Sequence, residues 1–173
     1  MRLALYQPDI PQNCGTMLRL AACLEVATDI IEPCGFVLSD ARMKRAGMDY
    51  LTRADMRRHS SWQAFRRAQA ASGRRLILLT TKGDVPYPAF AFRPTDVLMV
   101  GRESAGVPPE VATVADARVV IPLKDGLRSL NVAVAAAMVL GEALRQTATF
   151  PQEGMKDGIQ GGISRENGTE QAI

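Results

Sequence analysis

The sequence predicts an α/β protein with a mainly parallel sheet and helices on both faces. Short apolar runs, typical of buried strands, alternate along the chain with segments of helical periodicity, which indicates βαβ units. The composition is that of an ordinary globular protein, since 47% of the 173 residues are hydrophobic and 23% are charged. A chain of this length can enclose one core, so we expect a single domain over residues 1–150.

Each predicted element follows from local signals. Short polar side chains favour helix starts and glycine favours helix ends, as Asp40, Ser60 or Ser61, Gly47 and Gly73 illustrate. The predicted strands are residues 2–6, 28–31, 75–80, 96–100 and 118–121. The predicted helices are residues 14–26, 41–46, 60 or 61 through 71, 109–114 and 130–146.

Two C-terminal segments depart from this pattern. The final predicted helix is apolar on nearly every side, which is typical of a helix buried all round. One side would lie on the sheet and the other on a second copy of the chain, so we expect a homodimer; a fully internal helix is the alternative. Residues 151–173 contain five glycines and no aromatic residue, and we expect this tail to be mobile.

Basic residues concentrate in one stretch of the chain. Residues 41–75 contain ten Arg or Lys against only Asp49 and Asp55, although the whole chain has a net charge of +3. One basic third on an otherwise acidic protein favours a surface that faces a polyanion. A solvated helix face that happens to use arginine explains the charge alone equally well.

Several classes of protein are disfavoured. No apolar run approaches the roughly 18 residues that span a bilayer. Pro8 and Asp9 interrupt the apolar start before a signal peptide could form, so we expect a cytoplasmic protein that does not bind a membrane. The three cysteines, Cys14, Cys23 and Cys34, form no CxxC pair, and we expect no metal site.

Polar clusters occupy four junctions that follow predicted strands, where ligands bind in parallel sheets. The junctions are residues 8–19, 80–83, 101–108 and 121–131. Ser129 is a candidate N-cap of the final helix, whereas Asn131 would be unfavourable inside a first turn unless it forms a hydrogen bond. Each junction alone has a purely structural explanation, but the four together favour a binding site.

Other chemistries have few candidates. His59, the single histidine, follows Arg58, and we expect it at the surface or against RNA rather than in a nucleophile pair. Cys14 at a helix start could have a thiol of lowered pKa or be a small core residue. No second carboxylate accompanies Glu103 at a spacing that suggests paired acid/base work. Trp62 and Phe65 are expected to form a packing stripe rather than to stack on bases.

Six motifs occur in order within about the first 150 residues. They are IPQNCGTMLRL, IIEPCGF, RAGMDY, TTKG, GRESAGVP and IPLKDGLRSLNVAVA. Their order and spacing resemble the SPOUT (SpoU–TrmD) class of methyltransferases, and specifically its minimal tRNA wobble-nucleotide 2′-O-methyltransferases. The sequence departs from the family pattern at Thr16, where the family commonly has Asn.

This resemblance implies a fold, an activity and a set of site residues. The fold would contain a deep C-terminal trefoil knot that binds S-adenosylmethionine, in an obligate homodimer with sites at the interface and no metal. The activity would be methylation of the ribose 2′-hydroxyl of the wobble cytidine or modified uridine in tRNA, with leucine tRNAs as expected substrates. The cofactor pocket would use Leu79, Thr80, Gly101, Ile121, Leu123, Ser129 and Leu130. The catalytic and RNA-side residues would be Asn13, Arg19, Glu103, Ser129 and Asn131.

Arg19 is the residue we expect to matter most for catalysis. An arginine stays protonated and is a poor general base, so we hypothesise that it binds the phosphate next to the target ribose and stabilises the alkoxide as it forms. The basic segment would supply affinity for tRNA through Arg42, Lys44, Arg45, Arg57 and Arg58. Two alternatives stay open: the same chemistry at another tRNA position or on rRNA, and a non-catalytic RNA-binding dimer of the same fold.

Overall fold

A computed structural model describes residues 1–38 and 55–152 of the chain. These residues form one seven-stranded sheet of order β3-β2-β1-β6-β4-β7-β5, in which all neighbouring strands are parallel. The strands are β1 (Arg2–Tyr6), β2 (Ala27–Ile31), β3 (Met56–His59), β4 (Leu76–Leu79), β5 (Val85–Pro86), β6 (Val97–Val100) and β7 (Ala117–Val120). The helices are α1 (Pro11–Cys23), α2 (Trp62–Ala71), α3 (Pro109–Ala112) and α4 (Val132–Thr147).

Helices cover both faces of this sheet, which confirms the predicted fold class. Alternate residues of a strand point to opposite faces, so Leu3 and Leu5 contribute to the core under α1 and α4, while Ala4 and Tyr6 lie on the side of α2 and α3. Trp62 stacks on the buried Phe65 at a centroid distance of 5.6 Å. These two side chains belong to the core, as the packing interpretation predicted.

The sequence interpretation missed two strands, and both lie at edges of the sheet. The β3 strand reads Met-Arg-Arg-His and has no buried residue, and β5 is two residues long and contains a proline. Edge strands need little apolar sequence and tolerate proline, so neither shows the apolar run by which the other five were found. The predicted helix at residues 41–46 lies outside the described residues, as does most of the predicted tail.

The final helix begins at Val132, two residues later than expected. Asn131, not Ser129, caps α4, because its side-chain oxygen accepts hydrogen bonds from the backbone N–H groups of Ala133 at 2.9 Å and Val134 at 3.3 Å. The prediction that Ser129 caps this helix was therefore wrong. The outer side of α4 keeps large apolar side chains in solvent, with Val134 51% and Met138 39% exposed. In this chain the helix is therefore not fully internal.

A buried ionic cluster ties the first three strands together under α2. Asp29 accepts hydrogen bonds from Arg2 Nε at 2.6 Å and lies 2.7 Å from His59 Nε2. The His59 side chain is only 12% exposed, so the prediction of a surface histidine was wrong. His59 is the last residue of β3, which pairs with β2. Its side chain is mostly buried there because the buried Asp29 carboxylate needs polar partners. In the part of the chain that the structure describes, no helix is long and apolar enough to cross a membrane.

Candidate functional site

A cavity of about 460 Å³ opens at the carboxyl ends of β4, β6 and β7, beside the start of α4. Its volume lies in the range of roughly 300–1,000 Å³ that is common for small-molecule sites. The parallel arrangement brings the strand-end junctions to this one edge, as the sequence predicted. All seven residues expected to bind the cofactor line it: Leu79, Thr80, Gly101, Ile121, Leu123, Ser129 and Leu130.

The loop that follows β6 (residues 101–108) forms a tight reversal at the cavity wall. The backbone groups of Arg102 and Gly106 exchange two hydrogen bonds of 3.0 and 2.9 Å. A Cβ on Gly101 would lie 2.6 Å from the carbonyl carbon of Gly106, and Gly106 itself has a φ of +67°. Glycine is therefore required at both positions, one for close backbone approach and the other for its dihedral angle.

A pair of carboxylates links this loop to the segment before α1. Asp9 accepts hydrogen bonds from the backbone N–H groups of Glu103 at 3.0 Å and Ser104 at 3.3 Å, and Asp9 N donates to Glu103 Oε2 at 3.1 Å. Hydrogen bonding with Glu103 lowers the pKa of Asp9 to about 2. Burial, followed by the hydrogen bond with Asp9, raises the pKa of Glu103.

Sequence spacing indicated no second carboxylate for paired acid/base work with Glu103, but the structure brings Asp9 against it. Asp9 is 94 positions away in sequence, so no local spacing could have revealed it, although it belongs to the first polar junction. Glu103 Oε1 is buried and has no hydrogen-bond partner among the residues that the structure describes, and Glu103 lines the cavity. A buried carboxylate oxygen without a partner at a cavity wall is a position at which a ligand donor would be favoured.

The predicted asparagines meet at the cavity mouth. Asn131 Nδ2 donates to Asn13 Oδ1 at 2.9 Å, and both residues line the cavity together with Ser129. Asn13 is the third residue of α1, whose cap position is Ile10, so its side chain is not used as a cap. Asn131 thus has two roles, since one side-chain atom caps α4 and the other fixes Asn13.

Arg19 is placed differently from the other four predicted catalytic residues. It is exposed on α1 and is not among the residues that line the cavity. It lies six positions after Asn13, and at about 100° per residue this puts the two side chains on different sides of the helix. Within one chain, therefore, the structure unites Asn13, Glu103, Ser129 and Asn131 but not Arg19.

Two further predictions concern single residues. Cys14 is 1% exposed, and burial raises the pKa of its thiol to about 12. The suggestion of a lowered pKa was therefore wrong, because desolvation of the thiolate outweighs the helix N-terminus. Thr16 bonds to the carbonyl of Gln12 within α1 at 2.9 Å and does not line the cavity.

The basic residues proposed to contact RNA are only partly described. Arg57 and Arg58 lie on β3, where Arg57 is 3.5 Å from Asp55 and Arg58 forms an ion pair with Glu32. Arg42, Lys44 and Arg45 lie outside the described residues. No group of three or more potential metal ligands occurs in the described ranges.

The fold and the cavity together define a parallel α/β protein with a ligand site at the carboxyl edge of its sheet. The model of the SpoU rRNA Methylase family matches residues 1–141. A tRNA (cytidine(34)-2′-O)-methyltransferase from Beijerinckia indica subsp. indica is 67% identical over 148 residues, which cover 86% of this chain and 92% of the relative. The chain therefore belongs to the SpoU methylase family.

Solved structures agree with this assignment. A structure from work on the 2-OH methylation of C/U34 on tRNA is 41% identical, with a TM-score of 0.78 over 84% of this chain and 94% of the other. An AdoMet-bound rRNA methyltransferase from Sinorhizobium meliloti is 29% identical, with a TM-score of 0.75 over 83% of this chain and 55% of that chain. The resemblance to the SPOUT class is confirmed, and with it the prediction that the chain is an enzyme, a methyltransferase.

Proposed function

We propose that this enzyme methylates the ribose 2′-hydroxyl of the wobble nucleotide, cytidine or modified uridine, in tRNA, with leucine tRNAs as substrates. The observation that carries the proposal is the convergence of Asn13, Glu103, Ser129 and Asn131 on one cavity whose wall also contains every expected cofactor residue. The names of similar proteins, which specify cytidine 34 or C/U34 of tRNA, support the substrate.

The cavity fits S-adenosylmethionine as the cofactor. Leu79, Ile121 and Leu130 supply apolar wall for a purine ring, while Gly101 lets backbone groups approach closely. The partnerless Glu103 Oε1 is an acceptor for a hydroxyl or an ammonium group. When bound, S-adenosylmethionine would supply an activated methyl group. The protein would contribute alignment and exclusion of water.

The polar residues at the mouth would hold the ribose. Asn13 and Asn131 fix one another, and Ser129 lies beside them on the cavity wall. We assign these three to orienting the 2′-hydroxyl or the cofactor carboxylate. Burial raises the pKa of Glu103, and its Oε1 would accept a hydrogen bond from a ligand hydroxyl at the cavity wall.

Arg19 enters this proposal through a homodimer. The exposed apolar side chains Val134 and Met138 on α4 support a second copy docking there, and α1, which carries Arg19, packs beside α4. We propose that the dimer brings Arg19 to the site of the partner, where it binds the phosphate and stabilises the alkoxide. Val134→Glu should shift the chain from dimer to monomer in sedimentation velocity.

Complementation tests the role of Arg19. Arg19→Ala and Ser129→Ala are each expected to lose methylation. If Arg19 acts in the partner's site, an equal mixture refolded together should regain about a quarter of wild-type activity, because half of the dimers are mixed and each of these has one intact site. No regain would assign Arg19 to its own chain's site or to another role. Retention of activity by Arg19→Ala alone would remove it from catalysis.

A deep trefoil knot is also part of this proposal. The chain leaves β7, on the far side of β4, yet the next helix α4 packs against α1 and the core residues of β1 and β6. The last segment thus returns across the sheet and shares the cavity wall with the loop at residues 101–108, which supports a knot. A crystal structure with the cofactor bound, traced through residues 121–132, tests the crossing.

Mapping ribose methylation in cells that lack the protein tests the substrate. Loss of the 2′-O-methyl group at the wobble position of leucine tRNAs is the expected result, in the cytoplasm where we place the enzyme. Loss at another tRNA position or in rRNA would favour the first alternative. Calorimetric titration with S-adenosylmethionine addresses the second, since a non-catalytic RNA-binding dimer would show no heat of binding.

A further inference from the structure

Arg102 lies at the cavity, and no carboxylate in the described ranges pairs with its charge. Arg102 follows β6 and lines the cavity, and among the described residues it forms no ion pair. By contrast, Arg2, Arg58, Arg75 and Arg118 each face an aspartate or a glutamate. The guanidinium of Arg102 instead donates to the side-chain oxygen of Gln7.

Gln7 holds this arginine without neutralising it. Its backbone N–H donates to Ile31 O at 2.9 Å, its side-chain amide donates to Glu32 O at 3.5 Å, and its φ is +45°. A non-glycine residue in this region of φ is uncommon and needs surrounding contacts to hold it. The neutral amide accepts one guanidinium N–H and leaves the full positive charge for a ligand.

We propose that Arg102 binds a backbone phosphate of the RNA next to the methylated nucleotide; this inference rests on the proposed function. A guanidinium matches the oxygens of a phosphate in a bidentate geometry. Its bond to Gln7 directs Arg102 along the sheet edge towards β1 and β2. The expected cofactor residues other than the neighbouring Gly101 lie in or just after β4 and β7 and on the approach to α4. The carboxylate of the cofactor is therefore the less favoured anion.

The test compares variants in binding to an anticodon stem-loop RNA with cytidine at the wobble position. Arg102→Gln should lower the affinity for this RNA about tenfold, which is the effect expected for one hydrogen bond to a charged group. It should also lower the slope of log Kd against log salt concentration by about 0.7, the value for one phosphate on a single strand. The affinity for S-adenosylmethionine should stay at the wild-type value. Gln7→Glu, which places a carboxylate on the guanidinium, should reproduce the loss in RNA affinity and slope.

Two controls make the result specific. Arg93→Gln removes the same charge at the opposite, amino-terminal end of β6, where the residue is exposed, and should leave the slope unchanged. Arg102→Lys retains the charge and should recover most of the slope even if Arg102→Gln folds poorly.

An unchanged slope in Arg102→Gln and Gln7→Glu, with wild-type protein binding the RNA normally, overturns the inference and leaves the proposed function intact. A loss of S-adenosylmethionine affinity with unchanged RNA binding also overturns it, since Arg102 would then hold the cofactor carboxylate. Failure of the wild-type protein to bind the RNA at all overturns both the proposed function and the inference.

Discussion

Substituting alanine for Gly101 tests whether the loop at residues 101–108 builds the cavity. The added Cβ would lie 2.6, 2.8 and 2.9 Å from the carbonyl carbon, Cα and oxygen of Gly106. All three are backbone atoms, so no side-chain rotation can relieve the contacts. The two sides of the reversal must therefore move apart.

The size of the movement sets the expected cost. To reach an ordinary carbon–carbon contact of about 3.5 Å, the backbone must shift by nearly 1 Å. A shift of this size would stretch both hydrogen bonds between Arg102 and Gly106, now 3.0 and 2.9 Å, beyond useful length. Losing two such bonds and straining the loop should lower the free energy of unfolding by about 3 kcal/mol.

Urea denaturation and calorimetric titration with S-adenosylmethionine measure the two consequences. Gly101→Ala should be destabilised and should lose cofactor affinity by at least tenfold, because the loop lines the cavity. Gly141→Ala is the matched control. Gly141 lies within α4, and an added Cβ would meet nothing within 4 Å apart from its chain neighbours and the helix's own backbone, so alanine should stabilise the helix by about 0.5–1 kcal/mol. Wild-type stability and affinity in Gly101→Ala would refute the reasoning.

Three further predictions concern stability. Asn131→Ala should cost about 1 kcal/mol through loss of the α4 cap, whereas Asn131→Asp should keep the cap and lose only the bond to Asn13; equal urea midpoints for the two variants would contradict this. Asp29→Ala should cost about 3 kcal/mol in urea because it leaves Arg2 buried without its main partner, while Asp84→Ala, in an exposed pair with Arg118, should cost under about 1 kcal/mol. Asp9, whose pKa falls from 3.8 to about 2, contributes stability that is present above pH 3.8 and lost as the pH falls towards 2. Glu103, whose pKa is raised, acts with the opposite sign, since its contribution is present below its ordinary value of 4.5 and lost above it. Asp9→Asn should therefore flatten the acid side of the stability curve between pH 4 and pH 2, and an unchanged curve would show that the carboxylate pair is not coupled to folding.

The sequence was informative wherever burial or motif order controlled the structure. The five apolar strands could be predicted because a parallel sheet with two covered faces requires continuous apolar runs. The edge strands β3 and β5 could not, since Arg57 and Arg58 satisfy an edge position as well as valine would. The same limit applied to His59, whose position depends on Asp29, 30 residues away.

For the site, the junction residues were found, but their partners were not. Glu103 and Asn131 stood out as polar groups at strand ends and helix starts. Asp9 meets Glu103 across 94 positions, Gln7 meets Arg102 across 95, and Asn13 meets Asn131 across 118. Pairings at such distances leave no local periodicity. For Arg19 the motif suggested a role in the site. In the structure, however, its side chain lies on a side of α1 that does not face the cavity of its own chain.

The bond between Asn13 and Asn131 has a consequence for the newly made protein. A ribosome that has synthesised the first hundred residues has made six of the seven described strands, but the segment that completes the mouth of the cavity has not yet been made. Ligand recognition thus arises only when the last helix docks, and non-local closure of this kind is typically slow. Retention of a methyl donor by a refolding sample would therefore mark the end of folding rather than the formation of secondary structure.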